Sequence, residues 1–533
     1  SVARATGVVA LCTLLSRVLG LVRDMSIASV FGAGRATDAF FVAFKVPNLL
    51  RRLVAEGSLS TAFVPVFMDE NTESAERGRQ AVGAVTTFTT LLTLSLTAVG
   101  MIYAEQITLF FAPGFGAGSV KTALATDLMR LMFPYIVLVS LLALASSVLN
   151  SLGYFAWPAA APALLNVAMI ITIFAVVPHL ESPIFGLAGS VLAGGAIALV
   201  PQLLLLRRLG YPLFLGPLRA SRAVGKLLKL MLPSVLSASL YQVMVFINTL
   251  LASMLVESSV SWLFYADRIF QFPLGVFSIA VATAVLPALS GQAARKDNAA
   301  VSRTLSEAVA WMTVITVPAT VGLWTLAAPI VRVIYEHGEF VPADTAQTAL
   351  ALQAFAVGLW SVSCQSLLVR GYLAKKNTTI PALITSVSIT VNIACALLLM
   401  GPAEVPADTA FARAIVALQS SMHVFELGHV GLALAGSLAS LLALIPLTVF
   451  LGRVDIELSL RRVGRTLLHS CLASLAMYLV LRGIWSTGLR EILLLLVAVP
   501  VGAGTYLLAM RLLGSKEARQ LTFQIGRMLR SND

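Results

Sequence analysis

Eight of the ionisable side chains that lie inside apolar, membrane-length segments are candidates for binding a substrate. They are five arginines and three acids: Arg17, Arg23, Arg51, Arg52 and Arg268, with Asp24, Asp38 and Glu56. A charged group in hydrocarbon is costly, so such side chains usually face a cavity and mark the path of a substrate. Guanidinium groups form paired hydrogen bonds with phosphate oxygens, so several arginines in one cavity suit a pyrophosphate. The residues therefore predict a binding site for a large anionic molecule.

The charges of the first apolar segment are spaced to share one helix face. Arg17 and Asp24 are seven residues apart, and Arg23 is the neighbour of Asp24. An alternative interpretation is an internal ion pair between Arg17 and Asp24 that only holds helices together.

The second apolar segment carries a stripe of charges. Asp38, Lys45 and Arg52 follow one another at intervals of seven residues, and Glu56 lies one turn beyond Arg52. Pro47 interrupts this helix and frees backbone groups that a cavity must satisfy. Here too, an ion pair between Arg52 and Glu56 is the structural alternative.

The sequence contains no recognisable catalytic or metal-binding set. The five histidines are scattered over loops and helix ends, and no Walker A sequence is present. We therefore expect neither an enzyme nor a cofactor or metal site.

Composition defines the elements that must position the charges. Of the 533 residues, 58% are hydrophobic and only 12% are charged, with a mean hydropathy of +0.90. Soluble domains carry about 25% charged residues, so the chain is predicted to be an integral membrane protein. About fourteen apolar runs have the length of a membrane-spanning helix, and none shows the alternation of a membrane β-strand. The predicted fold class is all-α.

The net charge of +12 is explained by topology and not by nucleic-acid binding. The basic residues concentrate in alternate short loops, such as Arg453 to Arg465, while the opposite loops are neutral or acidic. The positive-inside rule places the basic loops, and with them both termini, in the cytoplasm.

An internal repeat divides the chain. Asp38 to Phe67 resembles Val260 to Leu289, about 220 residues later, and further matches keep this offset in order. Parallel six-helix repeats with the site at their interface are a known transporter architecture. We therefore expect pseudo-symmetric lobes at residues 1–226 and 227–453, around a central cationic cavity, followed by two further helices and a tail at 454–533.

The tail has a pattern of its own. In Lys516 to Arg530, apolar residues recur at i, i+4 and i+8 with cations around them. This pattern predicts a cytoplasmic helix on anionic membrane lipid, with a plain solvated tail as the alternative.

Four motifs carry a resemblance to a known family. They are SRVLGLVRD from Ser16, FGAGRATDAFFVAFKVPNLLRR from Phe31, AEGSLSTAFVP from Ala55 and VSWLFYADRIFQFPLGV from Val260. Together they resemble the MurJ (MviN) lipid II flippases of the multidrug/oligosaccharidyl-lipid/polysaccharide exporter superfamily. The resemblance implies two six-helix lobes around a cavity in the bacterial cytoplasmic membrane. It also implies that the chain moves lipid II, the undecaprenyl-pyrophosphate-linked peptidoglycan precursor, from the inner to the outer leaflet.

Residue roles follow from the same resemblance. It implies that the arginines Arg17, Arg23, Arg51, Arg52 and Arg268 bind substrate, supported by the acids Asp24, Asp38 and Glu56. It implies that the two last helices form a groove for the prenyl tail. It leaves open whether the chain works alone or with cell-wall elongation or division proteins, and which ion, if any, couples to transport.

Three other functions are weighed against this one. A cation exporter is disfavoured, because like charges repel strongly in a cavity rich in arginine. A flippase for another prenyl-pyrophosphate-linked oligosaccharide is disfavoured by the motifs, although physics does not exclude it. A non-transporting scaffold of the cell-wall machinery would tolerate loss of the arginines. Replacing the arginines by alanine therefore distinguishes a scaffold from a flippase.

Overall fold

Residues 2–53, 59–218, 222–403, 408–517 and 519 are described by a computed structural model of the chain. Regular structure in these residues is helical, and the one β-type contact there is an isolated bridge between Met400 and Glu426. The all-α fold class is confirmed.

Among the described residues, the first half of the chain forms ten helices. They are α1 (Val2–Phe31), α2 (Arg35–Arg51), α3 (Ser60–Glu73), α4 (Ala75–Ile102), α5 (Ala104–Phe111), α6 (Val120–Met132), α7 (Tyr135–Ser151), α8 (Ala156–Ala175), α9 (Pro183–Arg208) and α10 (Ala223–Ser253).

The second half forms eleven more. They are α11 (Ser259–Pro273), α12 (Ile279–Ala294), α13 (Asn298–Thr325), α14 (Ala327–Tyr335), α15 (Pro342–Val357), α16 (Leu359–Ala374), α17 (Thr379–Leu399), α18 (Ala410–Met422), α19 (Gly428–Val449), α20 (Leu460–Trp485) and α21 (Glu491–Leu512). A π-helical turn, Leu274–Ser278, joins α11 to α12, and short 3-10 turns occupy Pro113–Phe115, Val177–His179 and Phe450–Val454.

Ten helical stretches in the described residues are long and apolar enough to cross a membrane. The number is eleven if α15 and α16, which meet at an angle of 41°, form one broken span. The other three predicted segments coincide with α1, with α2 and α3, and with α10, which are helical but are not among these spans. The predicted count of fourteen is therefore not confirmed.

The chain separates into two compact units. Unit 1 comprises Ser1–Ser261, His337–Phe340 and Glu404–Val416, and unit 2 comprises Trp262–Glu336, Val341–Ala403 and Ala417–Asp533. Unit 1 extends beyond residue 226 because α10 packs on α3, α4 and α5. The three-part division drawn from the repeat stays a prediction.

Each unit has an apolar core of its own. In unit 1, Phe63 and Phe67 of α3 are fully buried against Val82 of α4 and Leu149 of α7. In unit 2, one core joins α12, α13, α16 and α19, and a second joins α13 to α20 and α21. The hydroxyl of Tyr506 donates to the carbonyl of Val314 at 2.8 Å, which fixes α21 against α13. The charged residues of the sequence motifs lie on other helices, of which α1 packs on α8 and α2 packs on α6.

Candidate cationic site

Arg23 is locked in a hydrogen-bonded network between α1 and α8. Its Nε and Nη2 donate to Oδ1 of Asp24 at 2.9 and 2.6 Å, and its Nη1 donates to Oδ1 of Asn166 at 3.0 Å. Asn166 in turn donates to the backbone carbonyl of Ser16 at 3.1 Å. The side chains of Arg23 and Asp24 are 11% and 2% exposed. A nearly buried carboxylate thus has its counter-ion, and the guanidinium is held in one orientation.

Arg17 differs from Arg23, although both lie on α1. Its side chain is exposed and forms no ion pair or hydrogen bond with any residue in the described part of the chain. The alternative pairing of Arg17 with Asp24 is therefore wrong, because the adjacent Arg23 pairs with that acid. Arg17 keeps its guanidinium group available for a ligand.

Asp38 fastens the start of α11 to α2. Its Oδ2 accepts from the backbone N–H of Ser258 at 2.9 Å, and its Oδ1 accepts from the N–H of Ser261 at 2.9 Å and from its hydroxyl at 2.6 Å. Ser258 has a φ of 77°, an uncommon conformation outside glycine. The carboxylate, only 1% exposed, thus satisfies N–H groups at a helix start that have no partner within the helix.

Lys121 supplies the positive charge that Asp38 needs. Its Nζ lies 2.7 Å from Oδ2 of Asp38 and 4.4 Å from the ring centre of Phe115. Asp38 therefore contacts a lysine of α6 and the start of α11. Its suggested role as an organiser of arginines stays a prediction.

Two further cations, Lys45 and Arg51, lie along the second half of α2. Lys45 donates to the hydroxyl of Thr249 on α10 at 2.9 Å, and Nε of Arg51 donates to Oδ1 of Asn48 at 2.8 Å. Arg52 is exposed and lies in a π-helical turn where α2 ends. Glu56, its suggested ion-pair partner, lies outside the described residues.

Arg268 belongs to the other unit. It lies on α11 with its guanidinium carbon 5.1 Å from the ring centre of Phe264, a cation–π contact. Arg17, Arg23, Arg51 and Arg52 belong to unit 1 and Arg268 to unit 2. The single cavity predicted for all five arginines stays a prediction.

Sequence reasoning missed several partners in this arrangement, among them Asn166, Ser258 and Ser261. Asn166 had a usable signal, since an amide in an apolar helix commonly bonds to a neighbouring helix. The serines had none, because their role depends on how α2 and α11 pack. No cluster of three potential metal-ligating side chains occurs in the residues that the structure describes.

Apolar spans in two compact units, with charged side chains fixed inside the first, define the class as a polytopic membrane transporter. Solved structures share this fold: an inward-facing transporter of the MATE family in the MOP superfamily matches with a TM-score of 0.66 over 83% of this chain and 94% of that one, at 14% identity. A structure described as "Lipid II flippase MurJ, inward closed conformation" matches with a TM-score of 0.74 at 27% identity, covering 94% of this chain and 97% of that one.

Sequence comparison identifies the family. The family model "Lipid II flippase MurJ" matches residues 27–420. A probable lipid II flippase MurJ of Buchnera aphidicola is 32% identical over 95% of this chain and 96% of its own length. The lipid II flippase MurJ of Burkholderia cenocepacia is 38% identical over 69% and 72%. The chain belongs to the lipid II flippase MurJ family.

Membership in this family confirms the resemblance carried by the four motifs. It also makes the chain a multi-pass protein of the bacterial cytoplasmic membrane. A flippase moves its substrate between leaflets without making or breaking covalent bonds. The expectation that the chain is not an enzyme therefore agrees with its family.

Proposed function

We propose that the chain transfers lipid II from the inner to the outer leaflet of the cytoplasmic membrane, for peptidoglycan synthesis. The observation that carries this function is family membership over most of the chain, joined to a set of arginines on membrane helices. A sugar–peptide headgroup with a pyrophosphate cannot cross hydrocarbon unaided, because its polar groups would lose their hydrogen bonds with water.

The arginines divide into two roles. Arg17 and Arg52 are exposed and have no partner among the described residues, so they bind the pyrophosphate directly. Arg23 already donates through three nitrogens, to Asp24 and Asn166, so it contributes a fixed positive charge and holds α1 against α8. Arg51 and Arg268 are the other two arginines that we assign to headgroup binding.

Transport proceeds by alternating access. The headgroup enters from the cytoplasmic leaflet, and its pyrophosphate binds the arginines. Rearrangement of the two halves then exposes the headgroup to the outer side, while the prenyl tail stays in lipid. Membrane potential can reset the empty cationic site, since moving one charge across 100 mV changes the free energy by about 2.3 kcal/mol.

Orientation follows from the charge of the loops, with both termini in the cytoplasm. In this orientation the segments after α5, α14 and α17 lie at the outer face. Cysteine labelling in intact cells tests it: a cysteine placed at Val120 should react with a membrane-impermeant maleimide, and one placed at Arg295 should not. The reverse pattern would contradict the topology.

The function is tested in cells depleted of their own lipid II flippase. Wild type should restore growth and the accessibility of lipid II at the outer face, whereas Arg17→Ala and Arg52→Ala should fail at matched protein levels. Arg295→Ala removes an exposed loop cation outside the site and is the matched control. No rescue by wild type would indicate a different lipid-linked cargo, and rescue by the site variants would assign the arginines a structural role.

A further inference from the structure

A buried histidine of unit 2 lies against a tryptophan at the starts of three helices. His429, the second residue of α19, is 4% exposed. Its ring centre is 4.9 Å from that of Trp262 on α11, with an angle of 51° between the rings. The indole N–H of Trp262 donates to Oδ1 of Asp344 on α15 at 2.9 Å. The three side chains thus connect the first turns of α11, α15 and α19.

The hydrogen bonds of this cluster define the protonation state of His429. Its Nε2 lies 3.0 Å from the carbonyl oxygen of Gln347, and a carbonyl only accepts, so Nε2 carries the hydrogen. Asp344 is 6% exposed, and its oxygens accept from Trp262 and from the backbone N–H of Val341. Neither of these bonds joins Asp344 to the imidazole.

Three features oppose a positive charge on His429 in this conformation. The side chain is withdrawn from water, which disfavours the charged form. It lies in the first turn of α19, where the positive end of the helix dipole repels a cation. Protonation would also add an N–H at Nδ1, for which the described residues show no acceptor. His429 is therefore neutral here.

In the part of the chain that the structure describes, no charged side chain forms a hydrogen bond or ion pair with His429. The helices in contact with α19 are α15, α16 and α17, and α11 contributes Trp262. Apart from Asp344, the titratable side chains of these elements are Tyr265, Asp267 and Arg268 on α11, Cys364, Arg370 and Tyr372 on α16, Cys395 toward the end of α17, and His423 and Glu426 in the chain just before α19.

The hydrogen bonding around the cluster is also incomplete. The hydroxyls of Thr345 and Thr348, on the buried face of α15, have no partner in the described part of the chain, although both side chains are at most 1% exposed. Buried polar groups without a partner weaken a packed arrangement relative to one in which water reaches them. An opened arrangement that admits water would give these two hydroxyls hydrogen-bond partners, which offsets part of the free energy lost when the packing opens.

We propose that His429 is a proton-binding site, whose protonation from the medium at the outer face loosens the contact of α19 with Trp262 and Gln347. The placement at the outer face rests on the orientation proposed above. A proton that binds the opened arrangement more tightly than the packed one shifts the population toward the opened one. Acidification outside the cell then biases the chain away from the conformation described here, and the proton returns to the medium on closure.

Tryptophan emission tests the proposal without any substrate, so its failure is distinguishable from failure of the flippase function. The full chain in lipid nanodiscs is titrated from alkaline to acidic pH, and the emission of Trp262 is taken as the difference from Trp262→Phe. A step should appear as the pH falls below about 6.5, the ordinary pKa of imidazole, because the packed arrangement opposes the charge and because both the charge and the ring contact alter indole emission. The step should be lost in His429→Gln and kept in His423→Gln, a matched histidine of the same segment.

Hydrogen exchange of the wild-type chain gives a second readout that needs no variant to fold. Amides of residues 342–352 and 428–436, corrected for intrinsic exchange, should exchange faster at low than at neutral pH. A step that persists in His429→Gln would overturn the proposal. So would an absent step in wild type, or protection that does not change with pH.

Discussion

At the scale of single residues, two arginines of one helix have different physical roles. Arg23 shares its guanidinium with Asp24 and Asn166, whereas Arg17 is exposed and unpaired within the described residues. Arg23→Ala should lower the free energy of unfolding by about 2 kcal/mol, because it leaves a buried carboxylate without its charge-assisted bonds. Thermal unfolding in detergent measures this.

Arg17→Ala is the matched control for that variant on the same helix. Its free energy of unfolding should lie within about 0.5 kcal/mol of the wild-type value, as expected for an exposed side chain, yet the variant should fail to transport lipid II. Equal destabilisation by both variants would contradict the division of roles.

Asp38 offers a second prediction at this scale. Asp38→Asn removes the charge that pairs with Lys121 and one of the two acceptor oxygens at the start of α11, so residues 258–263 should exchange amide hydrogens faster. Lys121→Met removes only the ion pair and should leave exchange at Ser261 close to wild type. If the two variants behave alike, the ion pair and not the helix cap fixes this contact.

At the scale of elements, the segment His337–Phe340 is seated on the end of α1. The N–H of Glu339 donates to the carbonyl of Ser29 at 2.9 Å. Gly338 has a φ of +61°, and a Cβ there would lie 2.1 Å from the same carbonyl oxygen. Gly338→Ala should therefore displace the segment and expose the amides of residues 29–32 to exchange.

Gly210→Ala is the matched control for this variant. Gly210 has a φ of +81°, but a Cβ added to it would meet nothing within 4 Å, so alanine there costs only the backbone conformation, about 1 kcal/mol. Similar effects of both substitutions on residues 29–32 would show that backbone conformation, and not the clash with Ser29, determines the seating.

The sequence predicted the elements better than their partners. Hydropathy located the helices because a membrane span needs a long apolar run, and this requirement is local. The seven-residue spacing places Arg17 and Asp24 on one face of α1 and suggested an ion pair between them. In the folded chain Asp24 is bound instead by its neighbour Arg23, which also donates to Asn166 on α8. Contacts such as Asp38 with Ser258 depend on helix packing across more than 200 residues, which no local pattern encodes.

At the scale of the whole molecule, the repeat and the compact units describe different things. The repeat reports a shared sequence pattern, whereas the units report which helices pack together, and α10 packs with unit 1. Only the hydrogen bonds of the folded chain showed that Arg23 has partners and that Arg17 has none among the described residues.

Transfer of lipid II across a bilayer that contains only the purified chain tests the central claim most directly. Vesicles carrying fluorescent lipid II in both leaflets are treated with an impermeant quencher, and the protected fraction is followed with time. Lipid II in the protected pool should become accessible far faster in vesicles with the wild-type chain than in protein-free vesicles. The double variant Arg17→Ala, Arg52→Ala should reduce that rate at least about tenfold, which corresponds to a loss of about 1.4 kcal/mol in transition-state stabilisation. A wild-type rate equal to that of protein-free vesicles would contradict the account.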